Sequence, residues 1–299
     1  KNIIISELGW EDYGEKHYES IFTRFYIGYI LPKKFNVDFR RAHFSTMICS
    51  GQMKREEASF AWLVTEHWVK SEVDLRIYQA TLEDSEIHFD IAGYEAVKSR
   101  IGEDGVAMVP LLHSPLKLLH VIAGLENACL LLADDPEGCE ALFEIYTAKI
   151  MKLADECCRS SAEVFMTMDN LDSLSHSPRL LKKHCLKFYQ DLGDKLRSSG
   201  KLLFSHACGQ LKKICPEIRD SRMDGLEGIA PPPLGDLPIH EALAISDSFI
   251  ANGGMTVHTL EEDGVGAAAR IDDYTRELFA SIKPHANRFL YSSGCNTSI

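Results

Sequence analysis

Lys201-Leu202-Leu203-Phe204-Ser205-His206-Ala207-Cys208 decides how this chain is read. Its apolar start and polar end mark a buried β-strand running into a loop. Alternate residues of a strand share a face, so His206 and Cys208 project together, about 6–7 Å apart along the strand. A second apolar run, Arg288 to Tyr291, leads into Ser292-Ser293-Gly294-Cys295. One imidazole and two thiolates make a three-donor zinc set with a fourth position open. That is the pattern of a catalytic zinc rather than a closed structural one. A zinc of that kind holds a bound thiol as thiolate, a strong nucleophile at neutral pH. Plain burial is the competing reading, because cysteine often serves as a small core hydrophobe and the chain has nine. Cys49, Cys129, Cys139, Cys157, Cys158, Cys185 and Cys215 read as core or helix-surface residues. Adjacent Cys157 and Cys158 do not suit pairing with each other.

Further apolar runs repeat on both sides of this strand. The candidates are Val106 to Leu112, Glu163 to Met168, Leu202 to His206, Gly225 to Ala230, Ser248 to Asn252, and Arg288 to Tyr291. Helices are expected between them: Asp135 to Ala162, Ser177 to about Ser198, Gln210 to Ile218, Asp236 to Ile245, and Gly264 to Ile282. Asp135-Pro136 and Ser177-Pro178 are helix starts, with proline in the first turn. Strands alternating with helices indicate an α/β fold of (β/α)8 TIM-barrel type. Eight strands close such a barrel, and the run pattern supplies six. The barrel is therefore expected to be incomplete at its N-terminal side, or patched by the N-terminal segment. That segment, residues 1–60, reads as short helices, aromatic and basic, with a break at Leu31-Pro32. Residues 61–299 form the barrel-like part.

The totals narrow the functional classes. The chain has 299 residues, 45% hydrophobic and 25% charged, which are ordinary globular values. A net charge of −12 argues against nucleic acid or an anionic membrane surface as partner, since both require basic patches. No run of 18 apolar residues occurs, so no spanning helix is expected. The N-terminus meets acid at Glu7, too early for a signal peptide. An odd cysteine count without secretory features points to a reducing cytoplasm.

In a barrel of this type, side chains at the C-terminal strand ends face the active site. His113, Asp169, Asp172, His206, Cys208, Glu227, Asn252-Gly253-Gly254 and Cys295 all fall at or near such ends. Each has a structural alternative. Asp169 can cap the turn that follows it, and His113 before Ser-Pro reads as a loop residue. Glu227 is an acid in an apolar strand, costly to bury unpaired, which favours a site role. A lone Gly-Gly is more often a tight turn than a phosphate loop. His258 and His285 read as solvated.

From about Leu75 to Ile299 the chain resembles the uroporphyrinogen decarboxylase superfamily. The marks are Phe204-Ser205-His206-Ala207-Cys208-Gly209, Met223-Asp224-Gly225-Leu226-Glu227-Gly228, Pro233-Leu234-Gly235-Asp236-Leu237 and Ser293-Gly294-Cys295-Asn296-Thr297-Ser298. The His-x-Cys with a distant Cys resembles one branch, zinc methyltransferases that move a methyl group from a corrinoid protein to a thiol such as coenzyme M. The resemblance implies Zn2+ on His206, Cys208 and Cys295, with Glu227 or Asp169 orienting substrate or supplying a transient fourth ligand. It also implies a methyl-corrinoid carried by a partner protein. The family's decarboxylases need no metal. They use an N-terminal arginine-rich segment and an aspartate near the first strand, neither of which is identifiable here. Residues 2 to about 57 resemble the C-terminal part of N-acetyl sugar amidotransferases of surface-polysaccharide synthesis, through Ser6 to Gly14, His17 to Tyr26 and Arg40-Arg41-Ala42-His43. The nucleotide-binding loop of those enzymes is not present. The expected activity is methyl transfer from a methyl-corrinoid protein to a small thiol. The alternatives are uroporphyrinogen decarboxylation and a non-catalytic barrel remnant or corrinoid-protein binding module.

Overall fold

The structure, a computed structural model, describes residues 51–55, 62–102, 106–255 and 266–292. All six expected strands form: β3 (Met108–Leu111), β4 (Val164–Leu171), β5 (Leu202–Ala207), β6 (Gly225–Ile229), β7 (Ile250–Gly254) and β8 (Phe289–Ser292). They make one six-stranded parallel sheet in chain order, β3 to β8. Parallel neighbours need crossovers, and helices supply them. Two earlier strands, β1 (Gly51–Arg55) and β2 (Trp62–His67), pair antiparallel as a separate two-stranded sheet. Short helices were expected over residues 1–60; β1 stands near the end of that stretch instead, and residues 1–50 lie outside the described residues. β1 and β2 belong to their own sheet and do not fill the two missing barrel positions.

The helix starts expected at Asp135-Pro136 and Ser177-Pro178 form, and a third proline-led start follows Ser114. α3 (Pro115–Ala123), α5 (Pro136–Arg159) and α6 (Pro178–His184) each open on proline after a Ser or Asp cap. The cap side chain accepts an otherwise orphaned N–H, and proline at this position has none to satisfy. Asp135, for example, accepts from the Gly138 N–H at 2.9 Å. The helix expected from Ser177 to Ser198 is two helices, α6 and α7 (Leu186–Arg197), because Cys185 leaves helical geometry at φ −122°. The remaining helices are α1 (Glu72–Glu83), α2 (Ile91–Ile101), α4 (Leu125–Asp134), α8 (Cys215–Asp220), α9 (Ile239–Ala242) and α10 (Ala267–Ile282).

The chain forms two compact units. One comprises Lys1–Phe165 with Lys195–Lys201, the other Met166–Asp194 with Leu202–Ile299. The first is built on the buried faces of α1, α3 and α5, with Leu75, Leu82, Leu116, Leu119, Leu142 and Tyr146 inaccessible or nearly so. Buried Lys201 is satisfied there: its ammonium donates to the carbonyls of Ser160 at 2.8 Å and Ala162 at 2.5 Å. In the second unit Leu203, Phe204, Leu226, Ile229, Phe249 and Ala251 make the sheet's core. Arg288 closes it by donating from one guanidinium nitrogen to the carbonyls of Leu243, Ser246 and Phe249. No single described helix is long and apolar enough to cross a membrane.

Candidate functional site

His206 on β5 and Glu227 on β6 stand opposite each other in the parallel register. The imidazole Nδ1 donates a hydrogen bond to the Glu227 carboxylate. Their side chains are 14% and 24% exposed, so the pair is sheltered without being sealed. A β-bulge beside it aims the acid. Between Leu226 and Ile229, β6 advances three residues while β7 advances two, from Ala251 to Gly253. The extra residue lies at Glu227-Gly228, and Gly228 has φ +86°, a conformation that favours glycine. Bulges bend a strand and redirect a side chain, commonly beside active sites.

Cys208 is half-buried, one residue beyond the end of β5. Its N–H donates to the Leu171 carbonyl at the end of β4, at 3.2 Å. It stands two residues on from His206, the spacing at which a strand repeats a face. These two expected zinc donors therefore share one strand end, and Glu227 occupies His206 Nδ1. That arrangement fits a zinc ligand, because metal-binding histidines characteristically give their other ring N–H to a carboxylate. Cys295, the third expected donor, lies outside the described residues. Among the described residues no three His, Cys, Asp or Glu side chains converge as a metal set.

Asp169 is placed differently from the sequence expectation. It belongs to β4 itself and is fully buried. The Tyr189 hydroxyl from α7 donates to its Oδ2 at 2.6 Å, and the Ser205 hydroxyl donates to the same oxygen at 3.2 Å. Thr167 donates to Ser205 at 2.9 Å. Ser205 faces away from His206, its neighbour on β5. Asp169 thus lies on the opposite face of the sheet from the His206–Glu227 pair and anchors α7. In the turn after β4, the Asp172 Oδ1 accepts from the Leu174 N–H at 2.7 Å.

Hydrogen bonds are also seen at other expected positions. The backbone of His113 is pinned by Tyr146, whose hydroxyl accepts from its N–H at 3.0 Å and donates to its carbonyl at 2.8 Å. At the end of β7, Asn252 Oδ1 accepts from the Ser292 hydroxyl at 2.5 Å, and the Tyr274 hydroxyl donates to the Gly254 carbonyl. Burial pushes the Tyr274 phenol up to about 12, with Tyr291 nearby adding to the effect. His285 is exposed, and His258 lies outside the described residues. Burial likewise raises the thiols of Cys157 and Cys215, which sets both apart from a reactive cysteine. The bulge was not anticipated, although an isolated glycine after Glu227 was its signal. Asp236 was expected to open a helix. That helix, α9, begins only at Ile239, and the Asp236 carboxylate turns instead to the loop after β5.

A family model described as uroporphyrinogen decarboxylase (URO-D) matches residues 64–228, a stretch that holds His206, Cys208 and Glu227 and ends before Cys295. A second, described as LPS biosynthesis protein WbpG-like, C-terminal domain, matches residues 19–88. Among solved structures the chain is similar to a methyltransferase from Methanosarcina mazei. The TM-score is 0.57 at 12% identity, over 84% of this chain and 71% of that one, which is a likeness of fold. A structure described as a vitamin-B12 independent methionine synthase from Listeria monocytogenes gives a TM-score of 0.36 at 16% identity, over 70% of this chain and 64% of that one. No curated protein matches the chain.

Proposed function

The chain belongs to the uroporphyrinogen decarboxylase family, and on that premise we propose that it is a zinc-dependent methyltransferase acting between a methyl-corrinoid protein and a small thiol. The observation that carries the reading is the His206–Glu227 pair across β5 and β6, with Cys208 two residues along the chain from His206. Likeness of fold to a methyltransferase supports the reaction class. His206 through Nε2, Cys208 and Cys295 would hold the metal. Bound there, zinc favours the thiolate form of a coordinated thiol at neutral pH. Glu227 fixes the imidazole tautomer, keeping the proton on Nδ1 and the Nε2 lone pair available. In the overall transfer the substrate sulfur forms a bond to the methyl carbon and loses its proton to solvent. The cobalt–carbon bond breaks with its electron pair left on the corrinoid.

The test is metal content and turnover of the full chain. It should carry about one zinc, and Cys208→Ser should lose it. Methylcobalamin with 2-mercaptoethanesulfonate should yield the methyl thioether. A folded protein that neither carries nor takes up zinc overturns the proposal. The same pair also supports a second reading, metal-free decarboxylation of a uroporphyrinogen, in which a carboxylate-backed imidazolium delivers the proton that replaces the lost carboxylate. A chelator separates the two, stopping the first activity and sparing the second.

A further inference from the structure

We infer that Asp236 is a positioning residue for Cys208, acting on the turn that carries the thiol rather than on the thiol. The inference deepens the site proposed above and rests on Cys208 being one of its working donors. The turn after β5 runs from Cys208 into a short 3-10 helix, Lys212–Ile214, whose local cap residue, Leu211, offers no side-chain hydrogen bond. Asp236, from the connection after β6, replaces it. One oxygen, Oδ1, accepts from the Leu211 N–H at 2.6 Å and the Lys212 N–H at 3.1 Å.

The other side of the turn is held by β4 and the loop after it. Cys208 N–H donates to Leu171, and the Gln210 carbonyl accepts from the Ser173 N–H at 2.8 Å. Two glycines let the three connections close on one another. A Cβ on Gly209 would lie 1.9 Å from Asp172 Oδ2, and one on Gly235 would lie 2.9 Å from the Gly209 carbonyl. The backbone at Cys208 is therefore clamped from both neighbouring strands. Asp236 is the clamp on the β6 side, and β6 also carries Glu227. β6 and the connection after it thus bear on both expected donors, Glu227 through a side-chain bond to His206 and Asp236 through the backbone after Cys208.

The experiment compares Asp236→Ala with Asp236→Asn in the full chain. The asparagine oxygen still accepts both N–H groups, and alanine accepts neither. Zinc affinity, read by competition with a chromophoric chelator, should fall by about tenfold or more in the alanine variant, the scale of a lost outer-sphere support. The asparagine variant should stay close to wild type. With cobalt(II) in place of zinc, the thiolate-to-cobalt band should weaken or shift only in the alanine variant. A lowered melting point with unchanged affinity and band overturns the inference and leaves Asp236 a stabilising cap. Equal losses in both variants also overturn it. If the wild type binds no metal, the function proposed above fails on its own. The positioning role is then read from the iodoacetamide alkylation rate of Cys208 at fixed pH, resolved by peptide. A rate changed in alanine and kept in asparagine supports it, and equal rates in all three proteins overturn it. Should the alanine variant not fold, Asp236→Ser, with its shorter acceptor arm, takes its place.

Discussion

A single hydrogen bond gives Glu227 its place in the site. An acid in the middle of an apolar strand needs a partner, and the register of β5 against β6 supplies His206. Glu227→Ala should weaken zinc binding by about 10- to 100-fold, measured by chelator competition, with Glu227→Gln intermediate because its amide oxygen still accepts. The buried carboxylate of Asp169 is held by Tyr189 and Ser205 instead. Tyr189→Phe removes a donor to it and should destabilise the fold by about 1–3 kcal/mol, read from the denaturant midpoint, while leaving zinc content unchanged. The sequence showed that both acids sit near strand ends. It did not show that they lie on opposite faces, because that depends on how β4 registers against β5, where Asp169 meets Ser205 rather than His206.

Elements were legible to the degree that their signals are local. The six strand runs were readable from composition, and the proline-led helix starts from their caps. The break at Cys185 carries no Gly or Pro, and the β1–β2 ladder lies beside an aromatic, basic stretch read as helical. The bulge in β6 depends on pairing with β7, which no single run encodes. Gly228→Ala should strain it, costing about 1–3 kcal/mol, and should swing Glu227 off His206. The expected result is a lower melting point together with lost zinc, and a drop in melting point alone would leave the bulge without a role in the site. At the end of β7 the phenol of Tyr274 titrates near 12 in the folded chain against an ordinary value of 10.0. A raised folded value means that its contribution is complete below pH 10 and is lost as pH climbs toward 12. Stability followed from pH 9 to 12 should decline for this reason, and Tyr274→Phe should flatten that part of the decline.

For the molecule as a whole, the α/β class and the partial barrel followed from the alternation of runs and helices, and the parallel six-stranded sheet agrees with them. The third metal donor expected from sequence, Cys295, lies outside the described residues, so binding is the measurement that speaks to it. A ligand that binds only the folded chain raises its stability, by about 2.7 kcal/mol at one hundred times its dissociation constant. Added zinc should therefore raise the unfolding midpoint of the wild type and leave that of Cys208→Ser where it was. An equal rise in both would place the bound metal elsewhere.

The short stretch Lys195–Lys201 belongs with the first compact unit, although the residues on either side of it belong to the second. Neither unit is therefore encoded by one uninterrupted piece of gene. A fragment cut at Phe165 lacks the lysine that satisfies the carbonyls of Ser160 and Ala162. A fragment begun at Met166 carries that lysine with nothing to bind. Anyone wishing to express the unit that carries His206 and Glu227 alone would have to splice around those seven residues rather than trim an end.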